Sequence, residues 1–260
     1  MAYTNSSLVS YTKLSPNHSG LRTHSIDRIT PHCVVGQCSV ETLGNIFLPT
    51  SRQASCNYGI GADGRIGMYV EEKNRSWCSS SNANDQRAVT IECASDATEP
   101  YAFKDVVYQT LIKLCVDICK RNGKSKLLWL GDKDKTLAYS PKADEMVLTV
   151  HRWFANKSCP GSWMYARMGN LAEKVTAQLG GSSGGPASAS GQMYRVRRTW
   201  ADAGSQKGAF TVLDNAKRCA DANPGYSVFD KDGAKIYTSN TTSQASDIPF
   251  TVKVSISDLR

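Results

Sequence analysis

The sequence predicts an α/β domain with a central mixed β-sheet flanked by helices, followed by a small C-terminal α+β module. Three observations carry this. Short β-prone runs alternate with helical periodicity over residues 1–179. The stretch GGSSGGPASASGQ at 180–192 has no charge and no large apolar residue, as expected of a flexible linker. Residues 193–260 carry strand and hairpin signals of their own.

In chain order, residues 29–35 form an apolar run that reads as a strand ending near His32 and Cys33. Ser39 is a suitable N-cap for a short helix through Phe47. Residues 57–61 and 65–70 flank Ala62-Asp63-Gly64, and an Asp-Gly turn between β-prone runs predicts a hairpin. The run AVTIEC at 88–93 has the length of a buried strand. Apolar residues at 107, 111, 114, 115 and 118 recur at helical spacing, so 104–121 is expected as an amphipathic helix closed by Gly123. Cys115 and Cys119 fall on its apolar face and read as small core residues. Residues 147–150 form a strand leading into His151, and 162–179 a final helix before the linker. In the tail, 193–199 alternates as a strand and 210–222 is helix-like. A hairpin turns at Asp232-Gly233, and 250–257 forms a last strand.

The chain has 260 residues, a formal charge of +8 and 21% charged residues, a globular composition. The positive charge suits anionic partners: nucleic acid, membrane surface or wall polymer. No run of five or more Lys or Arg occurs, which argues against a nucleic-acid tail. No apolar stretch approaches the roughly 18 residues of a membrane span, so stable membrane insertion is not expected. The first 20 residues are polar and lack the apolar segment of a secretory signal, so synthesis in the cytoplasm is expected. The nine cysteines include no CxxC pair and are expected to stay reduced.

The most informative segment is HRWFANKSCPG at 151–161. A strand delivers His151 to an edge, and a short loop returns Cys159 to the same region. Imidazole and thiolate are good zinc ligands. A third ligand must come from elsewhere; His32 at its strand end is the natural candidate, with His24 as its rival among the four histidines. Two His and one Cys leave a fourth zinc position open to water, the pattern of a catalytic site.

With ITPHCVVGQ (29–37), SCNYGIGADGRI (55–66), RSWCSS (75–80) and VTIECAS (89–95), this segment resembles the type-2 N-acetylmuramoyl-L-alanine amidase family, which shares the peptidoglycan-recognition-protein fold. The resemblance covers residues 1–179 and extends to endolysins and autolysins. It implies a zinc-bound groove in which His32, His151 and Cys159 hold the metal, Glu92 acts in catalysis and Lys157 lies near the reacting carbonyl. Trp77 matches a groove tryptophan, although the His that often follows it is Cys78 here. Some phage members carry a catalytic Tyr at the register of Cys56, so Tyr58 is a rival to Glu92 as base. Asn57, Tyr58 and Arg152 join Trp77 as candidate substrate contacts, with support of the metal ligands from behind the other reading of Asn57, Arg152 and Trp153.

The implied activity is zinc-dependent cleavage of the amide between N-acetylmuramic acid and L-alanine in peptidoglycan, acting at the bacterial wall after release. A non-catalytic peptidoglycan recognition protein on the same fold is the alternative. The tail resembles wall-binding modules of lytic amidases and SPOR-type domains, with a small barrel as the other option, and anionic wall polymers are its expected partners.

Overall fold

A computed structural model describes residues 3–180, 193–210 and 213–239. The chain divides into two compact units, 1–184 and 185–260. Residues 181–192 of the linker expected at 180–192, and the expected last strand at 250–257, lie outside the described residues.

The first unit runs β1 (Tyr11–Thr12), β2 (His18–Leu21), β3 (Arg28–Cys33), α1 (Val40–Phe47), β4 (Tyr58–Ile60), β5 (Ile66–Met68), β6 (Asn74–Ser76), α2 (Asn82–Arg87) and β7 (Ala88–Cys93). It continues with α3 (Asp105–Arg121), β8 (Lys126–Leu128), α4 (Lys133–Ala138), β9 (Glu145–Leu148), α5 (Gly161–Tyr165) and α6 (Met168–Gln178). Seven strands form one mixed sheet in the order β1-β5-β4-β7-β3-β9-β8. Strands β4, β7, β3, β9 and β8 are parallel neighbours, and β5 runs antiparallel to β4 as the predicted hairpin. Ser39 caps α1, its Oγ accepting from Thr42 N at 3.2 Å.

Strand alternation sorts side chains between the two faces. Ile29 and Cys33 of β3, Tyr58 and Ile60 of β4, Val89, Ile91 and Cys93 of β7 and Leu148 of β9 all join the main core. Helices α3 and α6 cover that face with Leu111, Leu114, Cys115, Ile118, Leu171 and Val175. Each such fully buried aliphatic side chain contributes about 1.5–3 kcal/mol. On the other face α1 buries Leu43 and Phe47 against Cys56 and Tyr69. His32 and Glu92 alternate out of the main core, so they belong to the α1 side. All nine cysteines are free thiols. No helix among the described residues is long and apolar enough to cross a membrane.

Some elements differ from the sequence expectation. The single helix expected over 162–179 is two, α5 and α6. The Arg167 guanidinium stacks 4.0 Å above the Trp163 ring and donates to Trp163 O at 2.9 Å, closing α5 before α6 begins. Phe210 lies in a strand rather than a helix because it pairs with Tyr194. Helix α2 and the strands β1, β2, β6 and β8 are too short to leave a periodic signal, and α4 is equally short.

Asn57 and Tyr58, candidate substrate contacts by sequence, are fully buried and belong to a structural polar network. Asn57 Oδ1 accepts from Arg22 at 3.0 Å and from Thr90 N at 3.1 Å, while its Nδ2 donates to Val70 O at 3.2 Å. Tyr58 donates to Glu72 Oε1 at 2.7 Å and accepts from Ser6 N at 2.9 Å. Arg121 completes the group by pairing with Glu72. Burial and the Glu72 carboxylate push the Tyr58 phenol far above its ordinary range, which keeps it protonated.

The second unit is an antiparallel sheet, β11-β10-β12-β13, formed by β10 (Tyr194–Arg197), β11 (Gly208–Phe210), β12 (Ser227–Phe229) and β13 (Lys235–Thr238). Helix α7 (Leu213–Asp221) packs Ala216 and Ala220 on Val196, Tyr226 and Val228.

Replacing Asn57 with Ala removes the partner of one buried Arg22 terminal nitrogen and of the Thr90 amide, while Arg22 keeps the carbonyls of Glu72 and Asp85. The first unit should lose about 3 kcal/mol of stability in urea unfolding followed by circular dichroism, with the Michaelis constant unchanged. A raised Michaelis constant at unchanged stability would restore a substrate role.

Candidate active site

Three adjacent parallel strands end on one edge of the sheet, the edge where open α/β sheets bind ligands. In the β3–β7 register His32 stands opposite Glu92. On the other side of β3, β9 pairs Leu148 with Ile29, and Thr149 N donates to Ile29 O at 3.1 Å. The chain then bends into a short 3₁₀ turn, His151–Trp153, which brings His151 beside His32 with ring centroids 5.1 Å apart. The following loop returns Cys159, whose Sγ lies 3.3 Å from His32 Nδ1.

These side chains line a cavity of about 340 Å³. Val34, Val35, Leu43, Ile46 and Phe47 supply an apolar wall, while Arg52 and Lys157 are cations at the same cavity. The ligand atoms of His32, His151 and Cys159 all lie within 4.8 Å of one another. His32, 1% exposed, has an Nε2 with no hydrogen-bond partner, and a buried orphan polar atom calls for a ligand. Burial and the nearby His151 hold the His32 pKa well below its ordinary value; burial and Lys157 lower that of His151. Both rings are thus neutral, the form that binds metal. A hydrogen bond with Cys33, then burial, then the Glu92 charge push the Cys159 thiol up. Two neutral imidazoles and a thiol that gives up its proton to a cation fit zinc.

Glu92 faces the same space, with Oε1 4.0 Å from His32 Nδ1 and 3.8 Å from the Cys78 Sγ that donates to it. Its Oε2 is buried without a partner. Burial raises its pKa to about 7, against the opposing effects of the Cys78 hydrogen bond and the Arg52 charge. A carboxyl so poised can both take and release a proton near neutral pH.

The loop beside Glu92 is set by a residue the sequence reading passed over. Asp85, buried in α2, accepts from Cys78 N at 3.0 Å and from Ser79 Oγ at 2.6 Å. That holds Ser80 in the left-handed region at φ 62°, with its Oγ 3.0 Å from His151 Nε2. Asn84 ties the loop to the strands: its Nδ2 donates to Ser79 Oγ and Thr30 Oγ1, and its Oδ1 accepts from Thr149. The Ser-x-x-Asn and Ser-x-x-x-x-x-Asp spacings, 81–84 and 79–85, were the available signal. Arg52 was also missed, because a lone Arg at the end of a one-turn 3₁₀ helix, Thr50–Arg52, carries no pattern.

The remaining candidates divide. Trp77 is not among the cavity residues; it is partly exposed and its Nε1 donates to Ser19 Oγ at 2.6 Å. Arg152 turns back onto its own loop, over the Tyr165 ring and onto the carbonyls of Ser158 and Cys159. His24 is exposed and pairs with Ser25 O, away from the other two metal-binding candidates.

Solved structures similar to the chain include three of low identity. A selenomethionine derivative of AmpD is 18% identical, covering 66% of this chain and 99% of that one, with a TM-score of 0.45. The endolysin amidase LysCS from Clostridium intestinale is 16% identical over 68% of this chain and 100% of that one, at 0.40. The Staphylococcus aureus hydrolase AmiA, in complex with its ligand, is 13% identical over 65% and 82%, at 0.41. No curated protein matches the chain. A family model described as N-acetylmuramoyl-L-alanine amidase matches residues 21–162, a span that runs from before β3 to the start of α5. That match takes in more than half of the 260 residues, and the chain belongs to the N-acetylmuramoyl-L-alanine amidase family.

Proposed function

We propose that this amidase cleaves the bond between N-acetylmuramic acid and L-alanine in peptidoglycan, with a zinc ion held by His32, His151 and Cys159, and so lyses the cell wall. The observation that carries the reading is the meeting of those three donors over the Glu92 carboxyl in one cavity. When bound there, zinc supplies Lewis-acid polarisation of the amide carbonyl and an acidified water.

The chain's own residues account for the rest of the chemistry. Glu92 accepts a proton from the attacking water and returns it to the leaving nitrogen, a role suited to a carboxyl with a pKa near 7. Lys157, exposed at the cavity, offers a positive charge to the oxygen that becomes negative as the carbonyl turns tetrahedral. The Arg52 guanidinium lines the cavity without a hydrogen-bond or ion-pair partner among the described residues, so it can meet a carboxylate of the stem peptide. Leu43, Ile46 and Phe47 give the sugar or peptide an apolar surface.

The second unit, with 193–260 taken as its span and 180–192 as the linker, is proposed to hold the enzyme on the wall. The guanidinium groups of Arg195 and Arg197 lie 5.6 and 5.0 Å from the Trp200 ring centroid. Tyr226 has Arg198 and Lys207 on its ring, each at 5.5 Å. Cations beside aromatic rings suit anionic wall polymers, and tethering raises the local enzyme concentration at an insoluble substrate.

Digestion of purified peptidoglycan should release peptides beginning with free L-alanine and leave the sugars intact, as read by mass spectrometry; cut sugars or cut crosslinks would overturn the reaction. His32→Ala and Cys159→Ser should each lose bound zinc, and chelation should abolish wild-type activity until zinc is restored. Glu92→Gln should keep its zinc while the turnover rate falls about 10²–10⁴-fold. In wall pull-downs of the full chain, binding should weaken as salt rises and with Arg195→Glu, while cleavage of a soluble muropeptide stays unchanged.

A further inference from the structure

We propose that Arg152 is a positioning residue, a clamp that fixes the backbone around Cys159 so that its thiol meets the two histidines. The inference rests on the reading of Cys159 as a metal ligand. His32 lies in β3 and His151 in the short 3₁₀ turn just after β9, but Cys159 arrives on a longer loop, and loops hold position less firmly than regular elements. What ties that loop down is the residue directly after His151. Arg152 N donates to Cys159 O at 3.2 Å, and Nε of the same residue approaches that oxygen at 3.5 Å. One terminal nitrogen of the guanidinium donates to Ser158 O. Two consecutive carbonyls flanking the thiol are therefore gripped by one side chain.

The clamp is itself braced. The guanidinium lies 4.5 Å above the Tyr165 ring. Tyr165 meets Trp129 edge-on at 5.6 Å, and Trp129 stacks on Trp153 at 5.0 Å with planes 4° apart. Trp153 is buried, so the chain of rings ends in the core. Only a planar, delocalised cation can lie flat on a ring and aim several N–H donors at backbone carbonyls; the compact ammonium of Lys cannot reproduce this. Groups that orient metal ligands from behind are commonly worth 10–100-fold in metal affinity or activity.

The test is zinc affinity of the full chain, by competition with a chromophoric chelator, for wild type, Arg152→Ala, Arg152→Lys, Tyr165→Leu and Tyr165→Phe. Thermal unfolding of the zinc-free proteins and the thiolate absorption of the cobalt-substituted forms are read alongside. We expect Arg152→Lys and Tyr165→Leu to bind zinc about 10–100-fold more weakly and to alter the cobalt–thiolate band, with Tyr165→Phe, which keeps the ring, like wild type. A fold that merely loosened would lower the unfolding temperature and leave the cobalt band in place. Equal zinc affinity in wild type, Arg152→Lys and Tyr165→Leu overturns the clamp alone. A wild-type chain that binds no zinc overturns the metal reading and the clamp with it.

Discussion

Parallel pairing of β7, β3 and β9 is the constraint on which the rest of the molecule depends. Parallel strands start and end together, so their last residues gather on one edge of the sheet. The β3–β7 register sets His32 against Glu92, and the β3–β9 register carries the chain on to His151. Strand alternation does the remaining work. Because Ile29, Ile91 and Leu148 must face α3 and α6, His32 and Glu92 must face away from them. A slip of one residue in β7 would bury the carboxylate in the hydrophobic core and turn Ile91 or Cys93 toward the cavity.

That geometry takes polar groups out of water, which the surrounding residues partly offset. Thr30, Thr149 and Asn84 satisfy one another beneath the site, with the two threonine hydroxyls 2.7 Å apart across strands 119 residues distant in sequence. Asp85 and Asn57 each take several donors. Against this background the orphaned Nε2 of His32 and Oε2 of Glu92 stand out. Unsatisfied buried polar atoms cost free energy, and in a native fold they concentrate where a ligand or a reaction needs them. The same desolvation keeps His32 neutral and lifts Glu92 toward neutrality. One physical cause thus prepares both a metal-binding base and a proton-transferring carboxyl.

Cys78 is where this chain departs from the Trp-His pair suggested by its resemblance. A thiol donating to Glu92 is a weak hydrogen-bond partner, so it leaves most of the burial effect on the carboxyl intact. The proposed reaction therefore uses Glu92, while the Tyr58 hydroxyl is bonded to Glu72 and Ser6.

Much of the fold was legible in the sequence because its main elements are local. The Ser39 cap, the Asp63-Gly64 hairpin, the buried AVTIEC strand and the helix around Leu111 and Ile118 each carry their signal within a few residues. The structure brings His32, Glu92, His151, Lys157 and Cys159 to one cavity, as expected from strand ends and a short return loop for the His and Cys residues and from the family resemblance for Glu92 and Lys157. What the sequence could not determine was which side of a strand or loop meets water. Asn57 and Tyr58 sit in a segment that reads as groove-lining, yet their partners are Arg22, Thr90 and Glu72, brought in from elsewhere in the chain. Arg152 bonds the carbonyl of Cys159, a contact no local pattern announces, while Arg52 and Ser80 reach the site only through turns of special backbone conformation next to or at them. The physical reason is range. Periodicity, caps and turns act over a few residues, whereas burial and hydrogen-bond partnership are decided by contacts such as that of His32 with Cys159, 127 residues apart.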